Sequence, residues 1–285
     1  MKFSACTSSY NSEEVLGAHL RSIYSQFSPD QFEYVVMDNC SEDATALIYE
    51  QWRKKYGNIT LISKKCWRGK SRQLTFQASK TETIVQVDCD MIFNAHWGKV
   101  IRWFLRERPN FALVLRGTAI YPRHFIMEIG GWRNLQQGED LDVYFKLFKK
   151  GKIKFCPLIV VSGGKSFWRT KSKSRVKNYF RLWRDAHDAF LLHRLKFWET
   201  LHEIEYPKVQ AFFGLLTAKF VAKLRGLYWD VIDISEISDE EVRRNYIDLG
   251  IQGEYGDECF PGLEFKSSVP SKIALRALLE KVKSH

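Results

Sequence analysis

The sequence has no Cys-x-x-Cys pair. Its six cysteines are scattered, so neither a zinc site nor a disulfide framework is expected, and a reducing cytosol is the default compartment. No stretch approaches the roughly 20 uncharged residues of a membrane span. The N-terminus runs straight into a strand-like segment, so no signal peptide is expected. Internal repeats and low-complexity tracts are absent. Acidic residues are in deficit: 33 Asp and Glu against 44 Lys and Arg leave a net charge of +11. That balance points to acidic partners (phosphorylated ligands, anionic lipid or nucleic acid) without choosing among them. The remainder is ordinary for a soluble globular chain, 45% hydrophobic and 27% charged over 285 residues, enough for one large or two small domains.

The stretch that organises the chain is Thr83-Ile84-Val85-Gln86-Val87-Asp88-Cys89-Asp90. Its apolar run reads as a buried strand, and it ends in two carboxylates one residue apart. On a strand, residues two apart such as these project to the same side. Two such groups repel unless a cation neutralises them. A hard divalent ion, Mg²⁺ or Mn²⁺, suits one or two carboxylates completed by phosphate oxygens. The competing reading is a polar turn after a strand, so the rest of the chain decides.

Before this stretch, strands and helices alternate, the pattern of a parallel α/β sheet. Strands are expected at Lys2–Thr7, Phe32–Met37 and Asn58–Ser63. Ser12 is expected to cap a helix carrying Glu13 and Glu14 in its first turn, with Leu16, Leu20, Ile23 and Phe27 on one face. Ser41 is expected to cap a second helix, with Leu47, Ile48, Gln51 and Trp52 at helical spacing. In such sheets ligands bind beyond the carboxyl ends of the strands. Polar groups fall at that edge three times: Ser8 and Tyr10, Asp38 and Asn39, Asp88 and Asp90. A basic loop with Lys65, Arg68, Lys70 and Arg72 follows the third strand. Carboxylates beside basic groups suit a metal-bound diphosphate, although each basic residue singly reads as surface.

After Asp90, a helix is expected over Ala95–Glu107 and a strand over Phe111–Leu115. Gly130-Gly131-Trp132 marks a tight backbone feature. Gly138-Glu139-Asp140 opens a helix running to Lys150 and closed by Gly151, where acids in the first turn also serve as dipole complements. Ile153–Val161 reads as a strand, with Pro157 placing it at an edge or bulge. Residues 165–198 hold ten Lys or Arg against Asp185 and Asp188, interleaved with aromatics. A helix with Phe212, Phe213, Leu216, Phe220 and Leu224 on one face is expected over 209–232. Such basic, aromatic helices lie in membrane surfaces or cover their own core. Ser238 to Glu241 forms a capping-box pattern, 250–270 reads as loop, and a last helix is expected near 271–283.

Several of these stretches together resemble the family-two glycosyltransferases of the GT-A fold. They are Ser8-Ser9-Tyr10-Asn11, Val36-Met37-Asp38-Asn39-Cys40-Ser41-Glu42-Asp43, Asp88-Cys89-Asp90, and Gly130-Gly131-Trp132 followed by Gly138-Glu139-Asp140-Leu141-Asp142. The resemblance covers about residues 1–165. It implies an α/β fold of GT-A type: a Rossmann-like mixed sheet flanked by helices, with a donor half (about 1–90) and an acceptor half (about 91–165). Residues 166–285 would form a basic, mainly helical extension. It also implies inverting sugar transfer from a UDP- or GDP-linked donor to a glycan or lipid-linked acceptor. By the same resemblance Ser8, Tyr10, Asn11, Asp38, Asn39, Lys70, Arg72 and Asp88 bind the donor. Asp90, with Asp88, holds Mn²⁺ or Mg²⁺. Gly131, Trp132 and Glu139 lie on the acceptor side, and Asp140 is the general base. The family's usual Asp-Asp pair is Asp38-Asn39 here, which leaves uridine and guanosine both open. Where many members carry a metal-binding His, this chain reads Val161-Ser162-Gly163-Gly164, so metal binding would rest on Asp90 and the diphosphate, or on His187 or His193.

A nucleotidyltransferase would need a glycine-rich loop after the first strand, and Thr7 to Asn11 has no glycine. A non-enzymatic basic protein could instead bind nucleic acid, or an anionic membrane, through 165–230. Nucleic acid ranks below a nucleotide sugar as the expected partner. The expected location is cytoplasmic, with peripheral contact to the cytoplasmic membrane face.

Overall fold

A computed structural model describes residues 2–136, 138–164 and 244–255. The expected features over 165–243 and 256–285, including His187 and His193, lie outside the described residues. The chain divides into two compact units. The first comprises Met1–Asn134, Lys146–Arg169 and Asn245–Cys259, the second Leu135–Phe145, Thr170–Arg244 and Phe260–His285.

In the first unit, β1 (Phe3–Ser9), α1 (Glu13–Tyr24), β2 (Phe32–Asp38), α2 (Thr45–Tyr56), β3 (Ile59–Ser63), α3 (Arg68–Ala78) and β4 (Thr83–Val87) follow in strict alternation. Then come β5 (Met91–Phe93), α4 (Ala95–Glu107), β6 (Ala112–Leu115), β7 (Thr118–Pro122) and α5 (Arg123–Glu128). Helix α6 (Glu139–Lys149) opens in the second unit, and β8 (Ile153–Phe155) and β9 (Val161–Gly164) complete the first. Among the described residues, seven strands form one sheet in the order β3-β2-β1-β4-β7-β6-β8, while β5 and β9 pair separately.

Strands β1 to β4 are mutually parallel where they pair, and β7 runs antiparallel to both β4 and β6. The sheet is therefore mixed. Its centre is apolar because strands covered on both faces must be: Phe3, Ala5, Tyr34, Val35, Val36, Ile84 and Val85 are fully buried. The chain steps from β1 outward through β2 to β3, then returns to place β4 on the other side of β1. The strand order reverses between β1 and β4, and the crevice at such a switch point is where open α/β sheets bind ligands.

Helix α1 buries Leu16, His19, Leu20 and Ile23, and α4 buries Trp97, Val100, Ile101 and Phe104. Phe93 stacks on Trp97 at 4.6 Å between ring centroids, and Phe3 stacks on Phe32 at 5.5 Å.

Several local expectations are corrected. Ser41 does not cap α2, which begins four residues later. Asp43 supplies the helix-start contact instead, accepting the Thr45 N–H at 3.0 Å. Leu47 on α2 faces solvent at 59% exposure. Ser12 occupies the N-cap position of α1 without a capping bond, and the Glu13 N–H goes to Asp43 at 3.2 Å. The expected strand over Ile153–Val161 is two strands in two sheets. Pro157, which has no N–H to donate, lies where the chain leaves the large sheet. Strand β7 and helix α5 have no counterpart in the sequence reading.

Candidate functional site

Four chain segments meet at the switch point of the sheet. At the end of β1, Ser9 lies level with Asp38 of β2, and its carbonyl accepts the Asn39 N–H at 2.8 Å. The next loop ties back to the same place. Asn11 takes a positive φ of 47°, donates its N–H to Ser41 Oγ at 3.0 Å and accepts the Glu42 N–H on Oδ1 at 2.9 Å.

Asp38 is fully enclosed, and Ser41 donates to both of its oxygens, from Oγ at 2.5 Å and from the backbone N–H at 3.0 Å. Asn39 Oδ1 accepts the Cys66 N–H at 2.7 Å, joining the loops after β2 and β3. Ser8 is half-buried near the end of β1, Tyr10 is 41% exposed beyond it, and Lys70 is half-buried on α3. Ser8 and Asp38 at the ends of β1 and β2, and Tyr10, Asn11 and Asn39 in the loops after them, thus fall at one edge of the sheet.

The two aspartates of the organising motif are not on a strand. Strand β4 stops at Val87, and Asp88-Cys89-Asp90-Met91 is a turn closed by the Met91 N–H on the Asp88 carbonyl at 3.1 Å. Cys89 points inward, its thiol 3.4 Å from both Ser12 Oγ and the Ser8 carbonyl. Burial pushes that thiol up to about 11. Asp88 and Asp90 remain half-buried. Arg72, itself buried on α3, donates to Asp88 Oδ1 at 3.3 Å and fixes that carboxylate.

This donor set fits a hard divalent ion that keeps positions for phosphate oxygens. Among the described residues no group of three or more His, Cys, Asp and Glu gathers at metal-binding distance. The pair could hold an ion only with help from a ligand's oxygens.

His19 was missed in the sequence, although it falls on the buried stripe of α1 between Leu16 and Ile23. Its Nδ1 donates to the Met91 carbonyl at 2.6 Å, and its Nε2 accepts from the Tyr34 hydroxyl at 2.8 Å. Full burial lowers its pKa from 6.5 to about 4, only partly offset by the Met91 bond and the nearby Asp88 charge. An unfolded chain therefore binds a proton on this ring between those two pH values while the folded chain does not. The stabilising contribution is complete above pH 6.5 and is lost as pH falls toward 4. Over that window it amounts to about 3 kcal/mol. We expect the difference in unfolding free energy between the wild type and His19→Gln, followed by urea titration, to shrink on acidification across that window. A pH-independent difference would refute the assignment.

Helix α5 ends in a Schellman motif: the Gly131 N–H reaches the Ile126 carbonyl at 2.8 Å and the Gly130 N–H that of Met127 at 3.1 Å. Both glycines have φ of 75°. Gln73 of α3 fills the space beside Gly131 and accepts the Trp132 N–H at 3.0 Å. The Trp132 ring is buried, its centroid 5.9 Å from that of Phe76 and 5.8 Å from that of Tyr121. Gly131 and Trp132, expected on the acceptor side, thus fall on a loop whose tryptophan packs into the core.

In the second unit, Glu139, Asp140 and Asp142 stand in the first turn of α6, with Glu139 and Asp142 buried and Asp140 half-buried. The Asp142 N–H bonds the Gly138 carbonyl at 3.0 Å. Three acids at a helix N-terminus complement its dipole.

Such a sheet, with carboxylate and basic groups at its carboxyl edge, defines a GT-A fold of nucleotide-sugar type. The chain belongs to glycosyl transferase family 2, which it matches over residues 4–157. It is 32% identical over 126 residues to the poly(ribitol-phosphate) beta-N-acetylglucosaminyltransferase TarS of Staphylococcus aureus, a match covering 43% of this chain and 22% of that protein. The crystal structure of residues 1–349 of S. aureus TarS in complex with UDP-GlcNAc aligns with 85% of this chain and 77% of its own, at 20% identity and a TM-score of 0.52. The mannosyltransferase PcManGT from Pyrobaculum calidifontis, in complex with GDP-Man and Mn²⁺, aligns with 81% of this chain and 76% of its own, at 16% identity and the same TM-score of 0.52. Both likenesses concern the fold.

Proposed function

We propose that this protein transfers a sugar, with inversion, from a nucleoside-diphosphate sugar to an acceptor hydroxyl, with a divalent ion assisting. One observation carries the reading. In a family 2 chain, the β1, β2 and β3 loops, the Asp88–Asp90 turn and the Arg72–Asp88 pair converge on the switch point of the sheet. The loops tied by Asn11, Asp38 and Asn39 form the rim on which the nucleoside would rest, with Ser8, Tyr10 and Lys70 beside them.

Asp90 and Asp88 would hold Mn²⁺ or Mg²⁺. When bound, the ion neutralises charge that builds on the departing diphosphate. Arg72 orients the Asp88 carboxylate. Asp140 takes the proton of the acceptor hydroxyl. The hydroxyl oxygen bonds to the anomeric carbon on the face opposite the diphosphate, and the carbon–oxygen bond to the diphosphate breaks. The nucleoside diphosphate leaves with that electron pair, and the new glycoside has the inverted configuration.

The donor is UDP- or GDP-linked. The acceptor is a glycan or lipid-linked chain; a phosphate-linked polyol of the kind in the TarS relative's name suits the net charge of +11. We assign residues 1–165 to the catalytic domain. To the basic segment beyond it we assign contact with an anionic acceptor at the cytoplasmic membrane face. Among the described residues no helix is long and apolar enough to cross a membrane.

The test is turnover of a panel of UDP- and GDP-sugars with polyol-phosphate and glycan acceptors, reading the product's anomeric configuration by proton NMR. An inverted product supports the proposal. A retained configuration, or release of free sugar alone with every acceptor, contradicts it.

A further inference from the structure

Strand β9 meets the Asp88–Asp90 turn with its main chain at Gly164. It pairs antiparallel with β5, aligning Met91 with Gly164 and Ile92 with Gly163, and a register shift follows before Phe93 meets Val161. Ser162 is the extra residue, and its hydroxyl donates to the Ile92 carbonyl at 3.3 Å. At Gly164 the backbone has φ of +146°, and a Cβ there would lie 2.2 Å from the Asp90 carbonyl oxygen and 3.1 Å from Met91 Cα. These are backbone atoms, so no side chain can swing aside to make room. The neighbouring glycine differs: a Cβ on Gly163 would meet only Ile92 Cδ1, at an ordinary 3.6 Å. Elsewhere on the turn, the Met91 carbonyl is held by His19 at 2.6 Å and the Asp88 carbonyl by the Met91 N–H at 3.1 Å.

We propose that Gly164 is a positioning residue for Asp90: by having no side chain, it lets β9 seat the turn at the one depth from which the Asp90 carboxylate meets the ion and diphosphate. This rests on the reading of Asp90 given above and extends it to a residue 74 positions along the chain. A ligating carboxylate must be placed within about 0.5 Å, and a displacement of about 1 Å costs roughly 100-fold. A side chain at position 164 would displace the backbone that carries Asp90 while leaving the nucleoside rim on β1 and β2 untouched.

The experiment compares UDP and GDP binding by calorimetry in Mn²⁺ and in EDTA, for the wild type, Gly164→Ala and Gly163→Ala. The readout is the ratio of the two affinities. In Gly164→Ala we expect that ratio to fall at least tenfold, with the affinity in EDTA unchanged. In Gly163→Ala neither quantity should move. An unaltered ratio in Gly164→Ala overturns the proposal while leaving the reading of Asp90 intact. A wild type with no manganese increment overturns both.

Should Gly164→Ala fail to fold, amide hydrogen exchange in the wild type decides. Residues 91–93 are expected to be protected before ligand is added and to gain nothing from UDP with Mn²⁺. A turn that becomes protected only on binding is not seated by β9, and the proposal falls.

Discussion

Asp90→Asn is expected to leave the fold intact and to lower sugar transfer by about a thousandfold. The fold survives because the backbone of the turn is secured by groups other than the Asp90 carboxylate. The Met91 N–H closes on Asp88, His19 bonds Met91, and Cys89 is turned into the core. Unfolding free energy should stay within about 1 kcal/mol of the wild type. What disappears is a formal negative charge at the end of the turn. The amide that replaces it is a poor partner for a hard dication competing with water. Manganese-dependent affinity for the nucleoside diphosphate should fall with turnover, and affinity in EDTA should not. Transfer at the wild-type rate would show that the ion, if any, is held elsewhere.

Asp140→Asn is expected to act differently: donor affinity is kept and transfer falls by about 10²–10⁴. A hydroxyl is a weak nucleophile until a carboxylate takes its proton, and Asn cannot do so. The opposing view is that Asp140 is only one of three acids complementing the dipole at the start of α6. On that view the substitution costs a few tenths of a kcal/mol, the usual scale of such charges, and turnover is unaffected. Single-turnover measurement at saturating donor separates the two, because it reads the chemical step apart from binding.

The two halves of the sheet differed in how plainly the sequence announced them. Strands β1 to β4 and helix α4 were legible because each is a compact apolar run or stripe bounded by turn residues. The Ala95–Glu107 helix agrees at both ends. Strand β7 was not, although Arg116-Gly117 between Leu115 and Thr118 is a two-residue hairpin link of the expected kind. Helix α5 is a single six-residue span, too short for a periodic signal.

The motif aspartates were found, but their local geometry was misjudged. Strand alternation assumes that the strand continues, and here the chain turns at Asp88. The roles of Ser41 and Asp43 could not be told apart either. Both are good capping residues, but the Ser41 hydroxyl is engaged by Asp38 three residues back and by the Asn11 N–H 30 residues away, which leaves Asp43 to meet Thr45. His19 was visible as a polar residue on an apolar face, yet its bond to Met91 joins residues 72 apart and leaves no local trace. Gly164 is similar: its need for no side chain arises from a strand pairing that periodicity does not register.

The claim beneath all of this is that a divalent ion at Asp88 and Asp90 grips a nucleoside diphosphate resting on the β1, β2 and β3 loops. Calorimetric titration of the full chain with UDP and with GDP, in Mn²⁺ and in EDTA, tests it most directly. One-to-one binding of one nucleotide, strengthened at least tenfold by Mn²⁺, is the expected result. Equally weak binding of both nucleotides, indifferent to the metal, would contradict it.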